Sequence, residues 1–527
     1  MKVLISDSLS EKGIEILKSA PGLEVDVNTR LKPDELKRVI KDYHGLVVRS
    51  ATKVTAEIID AAESLKVIGR AGTGVDNIDT VAATRKGIVV MNTPGGNTIT
   101  TAEHTIAMMM ALARKVPQAT ISMKKGEWEK KRFEGTEVFN KTLGILGVGN
   151  IGSIVVERAL GLRMNVIAYD PYISEDTARK MGIGLVSLDE LYGRSDFISI
   201  HVPLTPETRN MINAQAFARM KRGVKLVNCA RGGIVNEKDL YDAIKAGIVS
   251  GAALDVFEKE PPPADNPLLG LEEVVLTPHL GASTTEAQEN VAIAIAEQIV
   301  DYLSKGTVRN AVNVPSIPTE LLTTIGPYIQ LAERLGAFQG QLLTGGIEEV
   351  VVEYSGDVVD YDVAPITIAA IKGLLDQLMD QYVNFVNAPF IAKERGIKVV
   401  EVKTSRPIDF ASSVTVKIRT KEKESLVEGA LFGKKELRIV RIDKFFLDAI
   451  PEGYLLILHN YDKPGVIGNV GTLLGDNNIN IARLHLGREV VGGEAVSVWN
   501  IDTPLTDAVL SKLLHLPYII SAKVVKL

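Results

Sequence analysis

Residues 142–170 read TLGILGVGNIGSIVVERALGLRMNVIAYD, and the fold of the first half of the chain turns on them. An apolar strand, Thr142 to Leu146, leads into glycines at 147, 149 and 152, after which Ile151 to Leu162 has the apolar spacing of a helix. The first glycine permits a tight turn, the second lets backbone approach a pyrophosphate, and the third lets helix and strand lie close. The helix N-terminus offers unpaired N–H groups and a positive dipole end to that anion. A second strand, NVIAYD, then ends on Asp170, about 20 residues further on, where a carboxylate meets ribose hydroxyls. That carboxylate would repel a 2′-phosphate, so the expected cofactor is NAD, not NADP.

Outward from this stretch the pattern repeats. KVLIS, LEVDV, GLVVRS, KVIGRAG and GIVVMN read as strands before it, and FISIHV, VKLVNCA, SGAALDV and EVVLTPH after it, mostly with helical periodicity between. Alternation of this kind signals an α/β class with parallel sheets covered by helices, here two Rossmann-like doubly wound units within about 310 residues. NVPSIPTE, with Pro315 and Pro318, reads as a linker. Beyond it, residues 347–363 and 397–444 look like strands flanking a helical stretch around Ile366 to Arg395. From Gly453 onward the pattern is strand, helix, strand, strand, helix, strand. Two smaller α+β domains are therefore expected after the linker.

A chain of 527 residues exceeds one hydrophobic core. With 46% apolar and 24% charged residues it has the composition of a globular protein, and its formal charge of −5 argues against a general polyanion or nucleic-acid binder. No run approaches the roughly 18 apolar residues of a membrane helix. The opening MKVLISDSLS lacks the apolar core and cleavage site of a secretory signal. A single cysteine, Cys229, leaves no disulfide framework and no zinc cluster. The expected setting is the reducing cytoplasm, with no membrane partner and no metal.

Three stretches set polar residues at expected strand ends: Arg231 in VNCARGGIVNE, Glu260 in ALDVFEKEPP and His279 in LTPHLGAS. In a doubly wound fold the crevice lies beyond the carboxyl ends of the strands, so these side chains can converge there. Imidazole titrates near neutrality and suits the proton of a secondary alcohol undergoing hydride transfer. A neighbouring Glu260 would orient it, and Arg231 could bind a carboxylate through two parallel hydrogen bonds. Each alone has a plainer reading: a structural histidine, a capping arginine, a solvated glutamate.

Taken in order, the glycine turn, NCARGGIVNE, LDVFEKEPP and TPHLGAST closely resemble the D-isomer-specific 2-hydroxyacid dehydrogenases, and RAGTGVDNID, MNTPGGNT and YDPYIS strengthen the likeness. The resemblance covers about the first 310 residues. It implies His279 as acid/base, Glu260 as its support and Arg231 as the carboxylate anchor. The cofactor contacts it implies are Thr73, Asn150, Ile151, Asp170, Val202, Cys229, Ala230, Asp255 and Gly281, beside the three glycines. It places the substrate's acid groups at Arg49, Ser50, Arg70 and Gly72. It further implies a discontinuous substrate-binding domain, residues 1–98 and 284–315, around an NAD-binding domain at 99–283, with a cleft that closes on substrate. Within the family the match is to members that oxidise 3-phospho-D-glycerate to 3-phosphohydroxypyruvate, the first step of the phosphorylated route to L-serine. The alternatives are a glyoxylate or hydroxypyruvate reductase on the same fold and a non-catalytic NAD-sensing protein.

The last segment contains HNYDKPGVIGNVGTLLGDNNINIARLHLGR and resembles the ferredoxin-like ACT small-molecule-sensing domain, here 453–527. Asn460, Asp462 and Asn480 are the effector ligands this implies, with L-serine as effector and two domains pairing side by side. A dimerisation module without ligand is the other reading. Long members of the family carry an intervening regulatory domain, here 317–450. Residues 393–444 hold 14 Lys or Arg against 8 Asp or Glu, making Arg438, Arg441 and Lys444 candidate phosphate contacts or an exposed strand face. GEWEKKRFEG, with Trp128 and Lys130 to Arg132, is either a solvated loop or, as the resemblance implies, part of a subunit interface. A homotetramer is expected.

Overall fold

The computed structural model describes residues 1–315, 321–379, 382–406, 410–433 and 435–527; Pro318 of the expected linker lies outside them. Strands β1 (Lys2–Ile5), β2 (Glu24–Val27), β3 (Gly45–Val48), β4 (Val67–Arg70) and β5 (Val89–Met91) form a parallel sheet in the order β2-β1-β3-β4-β5. The central strand β3 is buried along its whole length, as a parallel strand covered on both faces must be.

The second sheet is also parallel. It comprises β6 (Thr142–Leu146), β7 (Asn165–Tyr169), β8 (Gly184–Leu185), β9 (Phe197–Ile200), β10 (Val224–Asn228), β11 (Val249–Leu254) and β12 (Val274–Leu276), in the order β12-β11-β10-β9-β6-β7-β8. Six of these strands are the ones read from the sequence; the two-residue β8 is too short to leave a pattern. Strand order reverses beside β6, so the glycine turn sits at a switch point.

Two helices carry the chain between the units. Thr98–Arg114 buries Met108, Met109 and Leu112 in the core of the second sheet. Thr285–Lys305 brings Val291, Ile295 and Ile299 back under β1, β3, β4 and β5. Its start is fixed by the Thr284 side chain, which accepts from the Ala287 N–H, and its end by Gly306 in the left-handed region. Residues 310–313 then rejoin β5.

After the linker a helix not read from the sequence, Leu322–Leu342, precedes a mixed sheet. That sheet comprises β13 (Ile347–Gly356), β14 (Lys398–Thr404), β15 (Ser412–Thr420), β16 (Glu424–Phe432), β17 (Glu436–Ile442) and β18 (Phe445–Ala449), ordered β14-β13-β15-β16-β17-β18. The last sheet, β19 (Tyr454–Tyr461), β20 (Ile481–Arg488), β21 (Glu494–Ile501) and β22 (Ile519–Lys526), is antiparallel in the order β20-β21-β19-β22. One face of it, with Leu456, Leu458 and Trp499, lies under its own two helices. The other, with Leu455, Ile457, Val496, Val498 and Val525, joins one continuous core with Leu331, Leu335, Phe338 and the mixed sheet. The helix is latched to β22 by reciprocal bonds between the Gln341 amide and the Lys526 backbone (2.9 and 2.8 Å). Among the described residues no helix is long and apolar enough to cross a membrane.

Candidate active site

The glycine turn has the shape its spacing implies. Gly147 has φ +91°, and a side chain there would meet the His201 carbonyl at 2.8 Å and Val202 at 2.9 Å. A side chain on Gly152 would collide with the Gly147 carbonyl, while Gly149 faces open space with nothing within 4 Å. The helix Asn150–Gly161 begins there, with Asn150 and Ile151 in its first turn. Asp170 accepts from the Val148 N–H at 2.7 Å and the Tyr172 N–H at 2.8 Å. The carboxylate so held keeps lone pairs for ribose hydroxyls. Backbone approach at Gly149, a helix N-terminus and an acidic strand end together fit a dinucleotide.

Cys229 and Ala230 follow β10, the latter's N–H bonded to Asn228 Oδ1 at 3.0 Å. Burial, and then the Asp255 charge, push the Cys229 thiol up to about 12, so it is no nucleophile at neutral pH. Thr73, after β4, donates to Asn97 Oδ1 at 2.7 Å.

His279 is the residue most firmly placed. Its Nδ1 lies 2.7 Å from Glu260 Oε2, and Glu260 Oε1 accepts from the Phe257 N–H at 3.1 Å. The bond to Glu260 holds the imidazole above its ordinary value, against the opposing pull of burial and of the Arg231 charge. Burial raises the Glu260 carboxyl, but the His279 bond and charge together with the Phe257 N–H outweigh it, leaving Glu260 below the usual carboxylate range. The backbone of His279 is left-handed at φ +57°, which costs a residue with a side chain about 1–2 kcal/mol. Asp255 holds that conformation in place. Its carbonyl accepts from the His279 N–H (2.9 Å), and its carboxylate accepts from Thr277 Oγ1 (2.6 Å), the Leu280 N–H (2.7 Å) and the Gly281 N–H (2.8 Å). His104 Nε2 lies 3.2 Å from the same carboxylate, and Thr101 Oγ1 ties down the Gly281 carbonyl at 2.9 Å. Asp255, expected among the cofactor contacts, is thus fully buried and spent on the turn that carries His279. Only its short spacing from β11 hinted at this, and His104 left no signal at all.

Arg231 reaches out of the nucleotide unit toward the first one. Its Nε is 3.2 Å from Asp76 Oδ2, and a side chain on Gly74 would collide with its guanidinium. Arg70 lies beside it, lowered to about 10 by burial and then by the Arg231 charge, with Arg49 adding to the effect. Arg49 and, from the second unit, Arg231 are thus both near enough for their charges to act on Arg70, while Arg49 Nη1 donates to the Ser8 carbonyl at 3.2 Å. Arg70 Nε is buried with no hydrogen-bond partner among the described residues, and Arg70 is why Gly72, at φ +148°, can carry no side chain. The Gly72 N–H, expected to meet substrate, bonds instead to Thr93 Oγ1 at 2.8 Å. Ser50 is exposed next to Arg49. The loop bearing both is fastened by Asp7, which accepts from the Arg49 and Thr52 N–H groups (2.6 and 3.1 Å), and by Asn77, which donates to the Arg49 and Thr52 carbonyls. Neither residue was singled out from the sequence.

The three residues expected to hold an effector do not meet within one chain. Strand register pairs Asn460 with Ala495 at one end of the last sheet, whereas Asn480 precedes Ile481, paired with Ile501 at the other. Six residues of strand separate them, roughly 20 Å. Asn460 Oδ1 is buried without a partner among the described residues; Asp462 binds Arg488 at 2.6 Å and Asn480 donates to Asp502 at 2.8 Å. The basic stretch before the last sheet is largely neutralised. Arg438 pairs with Glu436 (2.7 Å) and Asp448 (3.0 Å), and Lys444 with Glu494 (3.3 Å), while Arg441 bonds the Asp443 carbonyl. All three of the cations singled out from the sequence thus have partners among the described residues. Trp128 is 79% exposed.

A doubly wound pair of units with a carboxylate-oriented histidine and a glycine turn defines a nicotinamide-dependent dehydrogenase. Residues 106–281 match the NAD binding domain of the D-isomer specific 2-hydroxyacid dehydrogenases, 324–443 the D-3-phosphoglycerate dehydrogenase intervening domain and 454–516 the ACT domain. The chain is 47% identical over its whole length to D-3-phosphoglycerate dehydrogenase of Synechocystis sp., covering 95% of that protein, and 48% identical to that of Archaeoglobus fulgidus, covering all of it. An NAD-dependent formate dehydrogenase from Staphylococcus aureus, solved in complex with NAD, is 30% identical with a TM-score of 0.55 over 60% of this chain and all of that one. The chain belongs to the D-3-phosphoglycerate dehydrogenase family.

Proposed function

We propose that this chain oxidises 3-phospho-D-glycerate to 3-phosphohydroxypyruvate with NAD, the first step of the phosphorylated route to L-serine. The observation that carries the reading is that Arg70 feels the charges of both Arg49 and Arg231, while Arg231 also acts on the His279 of the His279–Glu260 pair. A small unphosphorylated acid presents one anionic group, for which one arginine fork suffices; a phosphoglycerate presents two. In this reading residues 1–98 and 284–315 are the substrate domain, 99–283 the NAD domain, 317–450 the intervening domain and 453–527 the ACT domain.

Bound at the glycine turn, NAD supplies the nicotinamide carbon that accepts the C2 hydride. Arg231 exchanges Asp76 for the substrate carboxylate and orients C2, while Arg49, Ser50 and Arg70 take the phosphate end. His279 keeps Nδ1 on Glu260, so Nε2 takes the hydroxyl proton. Glu260 stabilises the imidazolium that forms. Drawing the two units together over the arginines excludes water from the hydride path.

L-Serine is the effector in this reading, seated where Asn460 and Asp462 of one copy meet Asn480 of another. Side-by-side pairing of two last sheets is what brings opposite ends together. In this reading the chain forms a homotetramer, for which the exposed Trp128 offers a contact, and the single buried cysteine suits the cytoplasm. The test is NADH oxidation with 3-phosphohydroxypyruvate beside glyoxylate and hydroxypyruvate, with and without L-serine. Strong preference for the phosphorylated acid, slowed by serine, is expected. Equal turnover of the small acids would transfer the assignment to a reductase.

A further inference from the structure

A cavity of roughly 300 Å³ opens where the last sheet meets the helix Leu322–Leu342 and the mixed sheet. It belongs neither to the cleft nor to the effector residues. Strand register explains its wall. Ser521 pairs with His459 and Lys523 with Ile457, and residues two apart share a face of a strand, so all four look away from the sheet's own helices. Lys423 and Asp443, beside the ends of β16 and β17, and Glu494 at the start of β21 complete the polar part of the wall.

The charges there balance: two ammonium groups, two carboxylates and an imidazole. Among the described residues Lys423 Nζ, the His459 ring and the Ser521 hydroxyl make no hydrogen bond. Asp443 uses only Oδ1, on the Leu426 N–H at 2.9 Å, and Lys523 Nζ spends one N–H on the Leu342 carbonyl at 2.8 Å. Glu494 has Lys444 at 3.3 Å. Lys423, Lys523, Glu494 and Ser521 are exposed, and the His459 ring and Asp443 half-buried, so their unspent donors and acceptors are open to solvent or to a ligand. A simple polyanion would face Asp443 and Glu494, and a simple cation would face the two lysines. A small molecule carrying both charges meets neither penalty, and the aliphatic remainder of the wall accommodates a short side chain. At this volume the space falls at the lower end of ligand pockets.

We propose that this seam is a second small-molecule site, taking a zwitterionic α-amino acid. Its ammonium lies against Asp443 and Glu494, and its carboxylate against Lys423, Lys523 and Ser521. Occupancy clamps β19, which continues directly into Asn460 and Asp462, onto the end of the helix that leads back to the catalytic units.

The experiment uses the full chain, with each proteinogenic L-amino acid as probe, read by thermal unfolding and then by calorimetric titration of whichever probe stabilises. Lys423→Ala and Glu494→Gln are the informative variants, because both side chains are exposed and outside the core, so folding is retained. Asp462→Asn marks the effector seat. The expected result is an amino acid whose stabilisation survives Asp462→Asn and whose affinity falls about tenfold in either seam variant, the loss of one charge-assisted contact. Three results would each overturn the proposal: no amino acid stabilises the protein; stabilisation is abolished by Asp462→Asn and indifferent to both seam variants; or inorganic phosphate, titrated in parallel, binds at the seam in place of every amino acid.

Discussion

Replacing Glu260 with Gln keeps the shape of the His279 partner and removes its charge. The amide oxygen can still accept from Nδ1, although the amide nitrogen then faces the Phe257 N–H that Glu260 Oε1 now accepts. A hydrogen bond to a charged group contributes about 1.5–3 kcal/mol. The two side chains are 47% and 38% exposed, so solvent screens part of that contribution. The sign follows from the direction of the shift. Glu260 holds His279 above its ordinary value, so Glu260→Gln lowers it. Oxidation needs the neutral imidazole, and its rate rises with pH through the His279 titration; that rising limb moves to lower pH. Reduction needs the imidazolium, and its falling limb moves the same way. The plateau rate drops about tenfold or more, because a weaker base and a looser ring both cost turnover. Rate–pH profiles in both directions, with the KM for NAD as control, measure this. A limb that stays in place, or moves upward, would refute the assignment of His279 and Glu260.

Gly149→Ala is expected to fold normally and raise the KM for NAD about tenfold or more, because its methyl enters the space left for pyrophosphate. Gly152→Ala instead collides with the Gly147 carbonyl and lowers the melting temperature; the two measurements on both variants separate the effects. Asp255→Ala frees the four groups its carboxylate now meets and loosens the turn that holds the left-handed His279. A loss of about 2–5 kcal/mol in urea unfolding is expected, with turnover reduced more than in Asp255→Asn. Cys229→Ala should retain turnover within about threefold, and the native thiol should resist iodoacetamide at pH 7, since the thiolate is the reactive form. Rapid alkylation of the folded protein would contradict its burial.

Much of the catalytic half was readable because function there imposes local pattern. Glycines must stand where backbone meets backbone or phosphate, and parallel strands buried on both faces spell out unbroken apolar runs such as GLVV at 45–48. His279, Glu260 and Arg231 stood out because strand ends advertise themselves. Asp255 stood out too, but its contacts with Thr277, Leu280 and Gly281 come from a neighbouring turn that spacing does not show. Asp7, Asn77 and His104 act through partners distant in sequence, which no spacing rule links. The regulatory half was harder. LTTIGPYIQLAERLGAFQGQL at 322–342 carries a proline and several glycines, so its helical signal is weak, and its role depends on packing against the last sheet. Arg438 looked like a free cation because Asp448, its partner across a strand, is chosen by register and not by proximity in sequence.

The opposed placement of Asn460 and Asn480 on the last sheet gives the proposed effector seam a genetic signature. Two sheets pairing about a twofold axis form two seats, each built from one end of one chain and the opposite end of the other. A chain carrying Asn480→Ala and a chain carrying Asp462→Ala are each insensitive to the effector alone. Co-expressed, they form mixed pairs in which one seat collects both lesions and the other collects none, so two defective chains restore a working switch.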